Sequence, residues 1–287
     1  MGPAVVTDSV GHEAPVVERI NLLGIQVSAL DLPRAADAVA AAIRAGRREY
    51  VCIRDAHGVV RAQSDAALRA AHNEAFLVTP DGMPLVWALK RAGHRDAGRV
   101  YGPDLMLELF ARSERSGWRH YLYGSTPAVL DRLEARLRER FPDARIVGRH
   151  APPFRPATEA ERAAEIAAID ASGADIVWVG LGTPKQELWM AATRPLLAAP
   201  MMIGVGAAFD FHAGLKPQAP ARLQRAGLEW VFRLASEPRR LWRRYLTTVP
   251  TFAALYAAQS LGLKSFPMPQ GTERGAATRP VARARPN

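Results

Sequence analysis

The chain is almost without cysteine. One residue, Cys52, stands among 287, which excludes an intramolecular disulfide and a cysteine-cluster zinc site. No Asp-x-Asp occurs, so the paired carboxylate that often holds a divalent cation on a nucleotide diphosphate is missing. Seven histidines form no His-x-x-x-His pair, and no Gly-x-Ser-x-Gly nucleophile elbow is present. Met1 to Glu18 has neither the basic nor the apolar segment of a secretory signal, and residues 1–18 are expected to form a loose extension. Long apolar runs are also wanting. Tyr245–Leu263 is uncharged over 19 residues, but Pro250, three threonines, Gln259 and Ser260 interrupt it. A membrane span needs about 20 mainly apolar residues, so an interfacial or docked helix is the better expectation.

What remains is ordinary globular composition: 48% apolar and 23% charged residues, enough for a sizeable core. The net charge of +10 points toward phosphates: nucleic acid, nucleotide or anionic membrane. That charge is concentrated. Between His212 and Lys264 nine basic residues face two acidic ones, Glu229 and Glu237, and four more arginines follow in residues 265–287. A nucleic-acid-binding domain usually spreads its basic face over the main fold, whereas here the first 211 residues are close to neutral.

Short apolar runs at Leu22–Ile25, Tyr50–Ile53 and Ala75–Val78 read as strands, with helices over Pro33–Ala45, Ser64–Ala71, Met83–Arg91 and Pro103–Ser116. From His120 the alternation is regular. Strands His120–Tyr123, Ala144–Val147, Asp175–Val179 and Met201–Val205 each run into glycine. Helices Ser125–Arg140, Thr158–Ala171 and Pro184–Leu197 separate them; the second opens on a Thr158…Glu161 capping box. This order predicts an α/β, Rossmann-like, mostly parallel doubly wound sheet over 19–211. Right-handed crossovers gather the glycine-ended strand termini on one edge, where ligands of open sheets bind. Beyond Phe211 the alternation stops. Pro220–Ala235 and Pro238–Leu246 read as arginine-bearing helices of a basic appendage over 212–264, and 265–287 has the composition of a disordered tail.

Four segments carry candidate chemistry. Gly180-Leu181-Gly182-Thr183-Pro184-Lys185-Gln186-Glu187 runs from a strand into a helix start; its glycines would let amides reach an anion and the helix terminus would add positive charge. Lys185 makes sense in that first turn if a phosphate is present. Asp81, on a turn after a strand, is placed to accept a proton. Gly204-Val205-Gly206 with Asp210 permits close ligand approach at another strand end. Arg233, Arg239, Arg240, Arg243 and Arg244 suit a diphosphate. Cys52, inside an apolar run, reads as a buried small side chain rather than a nucleophile.

These pieces occur in a telling order: Asp81-Gly82-Met83-Pro84, Arg99-Val100-Tyr101-Gly102-Pro103-Asp104, Tyr123-Gly124-Ser125, Gly180 to Glu187, Gly204-Val205-Gly206, Glu229-Trp230-Val231-Phe232-Arg233-Leu234, Glu237-Pro238-Arg239-Arg240 and Arg244-Tyr245-Leu246. From roughly Asn21 to Leu246 the chain resembles the bacterial WecG/TagA/CpsF glycosyltransferase family. The resemblance implies an inverting transfer from a UDP-sugar to a polyprenyl-diphosphate-linked sugar in cell-surface polysaccharide synthesis. It places the enzyme on the inner face of the cytoplasmic membrane, with Asp81 as base and an appendage that completes the site and touches an anionic membrane surface. It implies nucleotide-sugar contacts at Gly124, Ser125, Gly180, Gly182, Thr183, Lys185, Gln186, Glu187, Gly206 and Asp210, and diphosphate contacts at Arg233, Arg239, Arg240 and Arg244. Many members carry Thr-x-Asn where this chain has Ile53-Arg54-Asp55-Ala56-His57-Gly58. Asp55 and His57 therefore join Gly82, Tyr101 and Asp104 as candidates for sugar or acceptor contacts. No cofactor and no metal are expected, nucleic acid is not an expected partner, and a homo-oligomer is compatible with the sequence. A Rossmann-type oxidoreductase would need a third glycine and a ribose-binding acid, neither of which is clear; a nucleic-acid-binding module rests on the basic C-terminus alone.

Overall fold

The structure, a computed structural model, describes residues 17–225 and 227–268. The extension before Val17 and the tail after Met268 lie outside the described residues. Strands β1 (Arg19–Leu22) and β2 (Ile25–Ser28) form an antiparallel hairpin. A six-stranded sheet follows, made of β3 (Glu49–Arg54), β4 (Leu77–Pro80), β5 (Arg119–Gly124), β6 (Arg145–His150), β7 (Ile176–Gly180) and β8 (Met201–Gly204). Its order is β4-β3-β8-β7-β5-β6, and every pair is parallel.

The helices of the sheet region are α1 (Leu32–Arg44), α2 (Ala56–Arg61), α3 (Ala66–Glu74), α4 (Met83–Arg91), α5 (Gly102–Ser116), α6 (Pro127–Arg140), α7 (Glu159–Ser172), α8 (Lys185–Thr193) and α9 (Ala208–His212). Local chemistry sets their starts. Asp31, Asp55, Asp65, Thr126 and Thr158 each accept an amide from the first turn, and Thr158 closes its capping box with Glu161. The sheet is buried on both faces, as a parallel sheet must be. In β7, Ile176 and Trp178 enter one core while Val177 and Val179 enter the other. The first core is closed by residues of α1, α5 and α6; the second holds the hairpin and residues of α2, α3, α4 and α8.

Two expectations are corrected. Leu22–Ile25 is not a strand but the turn of the hairpin, where Leu23 and Gly24 both have positive φ; the apolar run is buried because two short strands fold back together. The appendage is also cut differently. Pro220–Ala235 divides into α10 (Ala221–Arg225) and α11 (Glu229–Ser236), with Gly227 at positive φ between them. The next helix does not stop at Leu246 but runs on as α12 (Pro238–Ser260) through Pro250. An interior proline costs a helix about 3 kcal/mol. Docking of the far half offsets it: Phe252 is buried in the hairpin core with Leu255 and Tyr256 beside it, and Gln259 donates to the Asn21 carbonyl and accepts from the Leu23 amide, each at 3.0 Å.

Candidate active site

The glycine-ended strands place their carboxyl termini side by side. Gly124 and Gly180 are paired in β5 and β7, and a Cβ on Gly124 would lie 2.8 Å from the Gly180 carbonyl carbon. A Cβ on Gly180 would in turn meet the Phe209 ring at 2.6 Å. These glycines are required by close approach as much as by the positive φ of Gly124.

Three cavities adjoin this edge. A polar chamber of about 250 Å³ lies over β3, β7 and β8, walled by Arg54, Asp55, His57, Asp81, Tyr101, Gly182, Thr183, Gln186, Gly206, Lys216, Arg233 and Arg244. Across the Gly180 turn is a slot of about 330 Å³ lined by Tyr123, Ser125, Phe154, Gly180, Lys185 and Trp189. Tyr123 stacks on Trp189 with centroids 4.1 Å apart and on His150 at 5.7 Å. The third, an apolar groove of about 240 Å³, runs between α4 and the appendage along Gly82, Met83, Trp87, Trp230, Tyr245 and Val249. Asp55, His57, Asp81 and Arg233 line both chamber and groove.

The chamber floor is ionic. Arg54 ends β3 after the apolar run Tyr50–Ile53 and is almost wholly buried. It donates to Glu187 at 2.6 Å and to the Thr183 hydroxyl at 2.9 Å, tying β3 to the Gly180–Thr183 turn. Glu187 is fully buried and also accepts from Gln186 at 2.8 Å, so it braces the turn from below. The Oε1 of Gln186 has no partner although the side chain is buried, and it belongs to the chamber wall. Asp55 caps α2 and accepts from Arg244 of α12 at 2.7 Å. Against burial, which alone would raise it, the Arg244 and Arg54 guanidiniums draw this carboxyl down to about 2. Burial and the Arg244 charge hold His57 neutral, with its pKa lowered to about 4; its Nδ1 lies 3.1 Å from the Thr248 hydroxyl of α12.

Asp81 follows β4 on the turn before α4. Arg99 donates from Nη2 to Asp81 Oδ1 at 3.0 Å, from Nε to the Asp81 carbonyl at 2.6 Å, and from Nη2 to Glu229 of α11 at 2.5 Å. Burial raises the Asp81 carboxyl; Arg99 opposes, while Glu229 and Asp55 reinforce, and the pKa stands at about 6. That suits a base that is ionised at neutral pH yet still attracts a proton.

The remaining expected residues are dispersed. Asp104, Gly124, Glu187, Asp210 and Arg239 line none of the three cavities. Asp104 is exposed in the first turn of α5, Asp210 pairs with Lys216 at 2.6 Å, and Arg239 is exposed on α12. The side chain of Arg240 lies outside the described residues. The sequence reading missed Arg54, Arg99, Glu229 and the Tyr123–Trp189 slot as site components. A signal existed for two of them: an arginine closing an apolar strand needs a buried counter-charge, and Glu229 is one of two acids among nine bases. Among the described residues no group of three or more His, Cys, Asp or Glu could hold a metal ion.

An open parallel sheet with a polar chamber at its carboxyl edge, a basic helical appendage over it and a buried carboxylate between them puts the molecule among α/β folds that bind ligands at that edge. A family model described as the Glycosyl transferase WecG/TagA/CpsF family matches residues 20–265, and the chain belongs to that family. It is therefore a glycosyltransferase, with a role in cell-surface polysaccharide synthesis; the family implies a nucleotide-sugar donor and a lipid-linked acceptor in general terms.

Proposed function

We propose that the enzyme transfers a sugar from a UDP-sugar to a polyprenyl-diphosphate-linked sugar with inversion and without a metal ion. The observation that carries this reading is the shared wall: Asp55, His57, Asp81 and Arg233 stand where a polar chamber meets an apolar groove. The aromatic slot suits the flat uracil base. The diphosphate lies beside the Gly180–Thr183 turn in the chamber, and the sugar reaches the shared wall. The acceptor enters by the groove, with its first isoprene units against Trp87, Trp230 and Val249.

Its hydroxyl attacks the anomeric carbon from the face opposite the diphosphate as Asp81 takes the hydroxyl proton. An α-linked donor thus gives a β-linked product. Charge growing on the departing UDP is met by the amides around Gly182 and Gly206 and by the guanidiniums of Arg233 and Arg244, a kind of stabilisation commonly worth a few kcal/mol per donor. A thermal-shift panel of UDP-sugars, followed by transfer assays in excess EDTA, tests the reading. Stabilisation by UDP compounds and EDTA-resistant turnover are expected. A need for added Mg²⁺ or Mn²⁺ would remove the metal-free part, and indifference to every uridine nucleotide would remove the donor.

The inner face of the membrane is the proposed place of action. Among the described residues no helix is long and apolar enough to cross a membrane. The near half of α12 instead exposes Arg239, Trp242, Arg243, Leu246 and Val249 along one face, at helical spacing. Basic residues near an anionic leaflet contribute about 1 kcal/mol each, and the aromatic and aliphatic side chains add apolar burial.

A further inference from the structure

Glu229 is an acid where an acid is unwelcome. It belongs to the basic appendage, is buried, and lines the otherwise largely apolar groove. Its place in the first turn of α11 would account for its charge sign but not for its aim. Gly227, at positive φ, itself lies close against α4, where a Cβ would stand 3.0 Å from Met83 and 3.9 Å from Trp87, and two residues on Glu229 reaches Arg99.

Arg99 is thereby divided. Its Nη2 serves Asp81 Oδ1 and Glu229 Oε2 together, and its guanidinium lies over the Tyr101 ring at 4.1 Å. Both side-chain bonds to Asp81 fall on Oδ1; Oδ2 takes part in neither. An arginine with a single carboxylate partner ordinarily closes a two-point pair on both oxygens, which would occupy the edge a base needs.

We propose that Glu229 is a positioning residue for Asp81: by sharing Arg99 between two carboxylates, it keeps the guanidinium from closing over Asp81 and leaves Oδ2 open to the acceptor hydroxyl. This rests on the reading of Asp81 as the base. It assigns the appendage a second duty beside supplying cations, because the acid that sets the base's surroundings arrives only when α11 is docked. The charged and titratable groups that share a cavity with Asp81 are Arg99 and Tyr101 ahead of α5, Arg54 and Asp55 at the end of β3, His57 on α2, Lys216 after α9, Glu229 and Arg233 on α11, and Arg244 and Tyr245 on α12. Of these, Glu229 and Asp55 oppose ionisation of Asp81 and Arg99 favours it.

The test reads Asp81 directly and needs no substrate. The full-length protein, labelled with carbon-13 at aspartate carboxyls, is titrated by NMR, with D81N assigning the signal and UDP binding confirming a folded site. In E229Q, which keeps an acceptor for Arg99 but removes the charge, the Asp81 midpoint is expected to fall by roughly one pH unit. In E229A, where Arg99 is free to close, the fall is expected to be larger. An unmoved midpoint in both folded variants would overturn the proposal. Failure of the base reading would appear separately, as wild-type turnover by D81N.

Discussion

The chamber and the groove meet at four residues but are built from different materials. The chamber is founded on backbone, with strand ends, glycines and one turn braced from beneath by Arg54 and Glu187, and polar side chains stand around that base. The groove is set by side chains, Trp87 from the fold and Trp230, Tyr245 and Val249 from two helices added after it. The first arrangement is fixed within a continuous sheet core. The second exists only while the appendage is seated, and its seat is the bonding of α12 to α2 and the hairpin. The proposed donor site is thus founded on the sheet, with Arg233 and Arg244 added from the appendage, whereas the proposed acceptor site depends on docking throughout.

The largest expected effect lies where the two meet. D81N should lower transfer by about 10²- to 10⁴-fold while UDP affinity stays near wild type, as calorimetry would show. Loss of UDP binding together with turnover would mean that Asp81 belongs to the chamber alone. Next comes the chamber floor. R54M leaves Glu187 buried without its partner, which should cost about 3–5 kcal/mol in denaturant unfolding; an unchanged midpoint would show the floor to be slack.

Smaller effects separate the two regions further. Burial raises Asp81 to about 6 in the fold, above the ordinary carboxylate value, so folding favours its protonated form and its stability contribution is lost as pH climbs through that window. D81N should therefore stabilise the protein at pH 7.5 by about 1–2 kcal/mol, a figure reduced for partial exposure of the carboxyl, and by almost nothing at pH 4; equal stabilisation at both would point to a change unrelated to charge. Last, the double variant W242S/R243Q, on the outward face of α12, should weaken binding to anionic liposomes several-fold at physiological salt with UDP affinity intact. Such substitution is a cleaner probe than removal of residues after Leu246, because Phe252 and Gln259 hold the appendage in place.

The same division explains what could be read in advance. Backbone-built features leave a mark on sequence: the alternation of strands and helices announces the parallel sheet, and Gly124, Gly180, Gly182 and Gly206 mark the edge where its strands end. Side-chain partnerships across distant elements leave almost none. Nothing near Arg99 in the chain announces Glu229, 130 residues on, and nothing near Tyr123 announces Trp189. Pro250 misled in the opposite direction. It is a local signal to end a helix, overridden by burial of Phe252 against strands that local reading had folded into one.

The link between Leu23 and Gln259 joins residues 236 positions apart. During synthesis the hairpin and the whole sheet leave the ribosome before Gln259 is made. Until Gln259 emerges, the nascent enzyme has its phosphate-facing edge but lacks a seated α11, and so lacks a finished reaction centre. On the proposed reading of Asp81 and Glu229, a half-made chain is in this way kept from spending activated sugar.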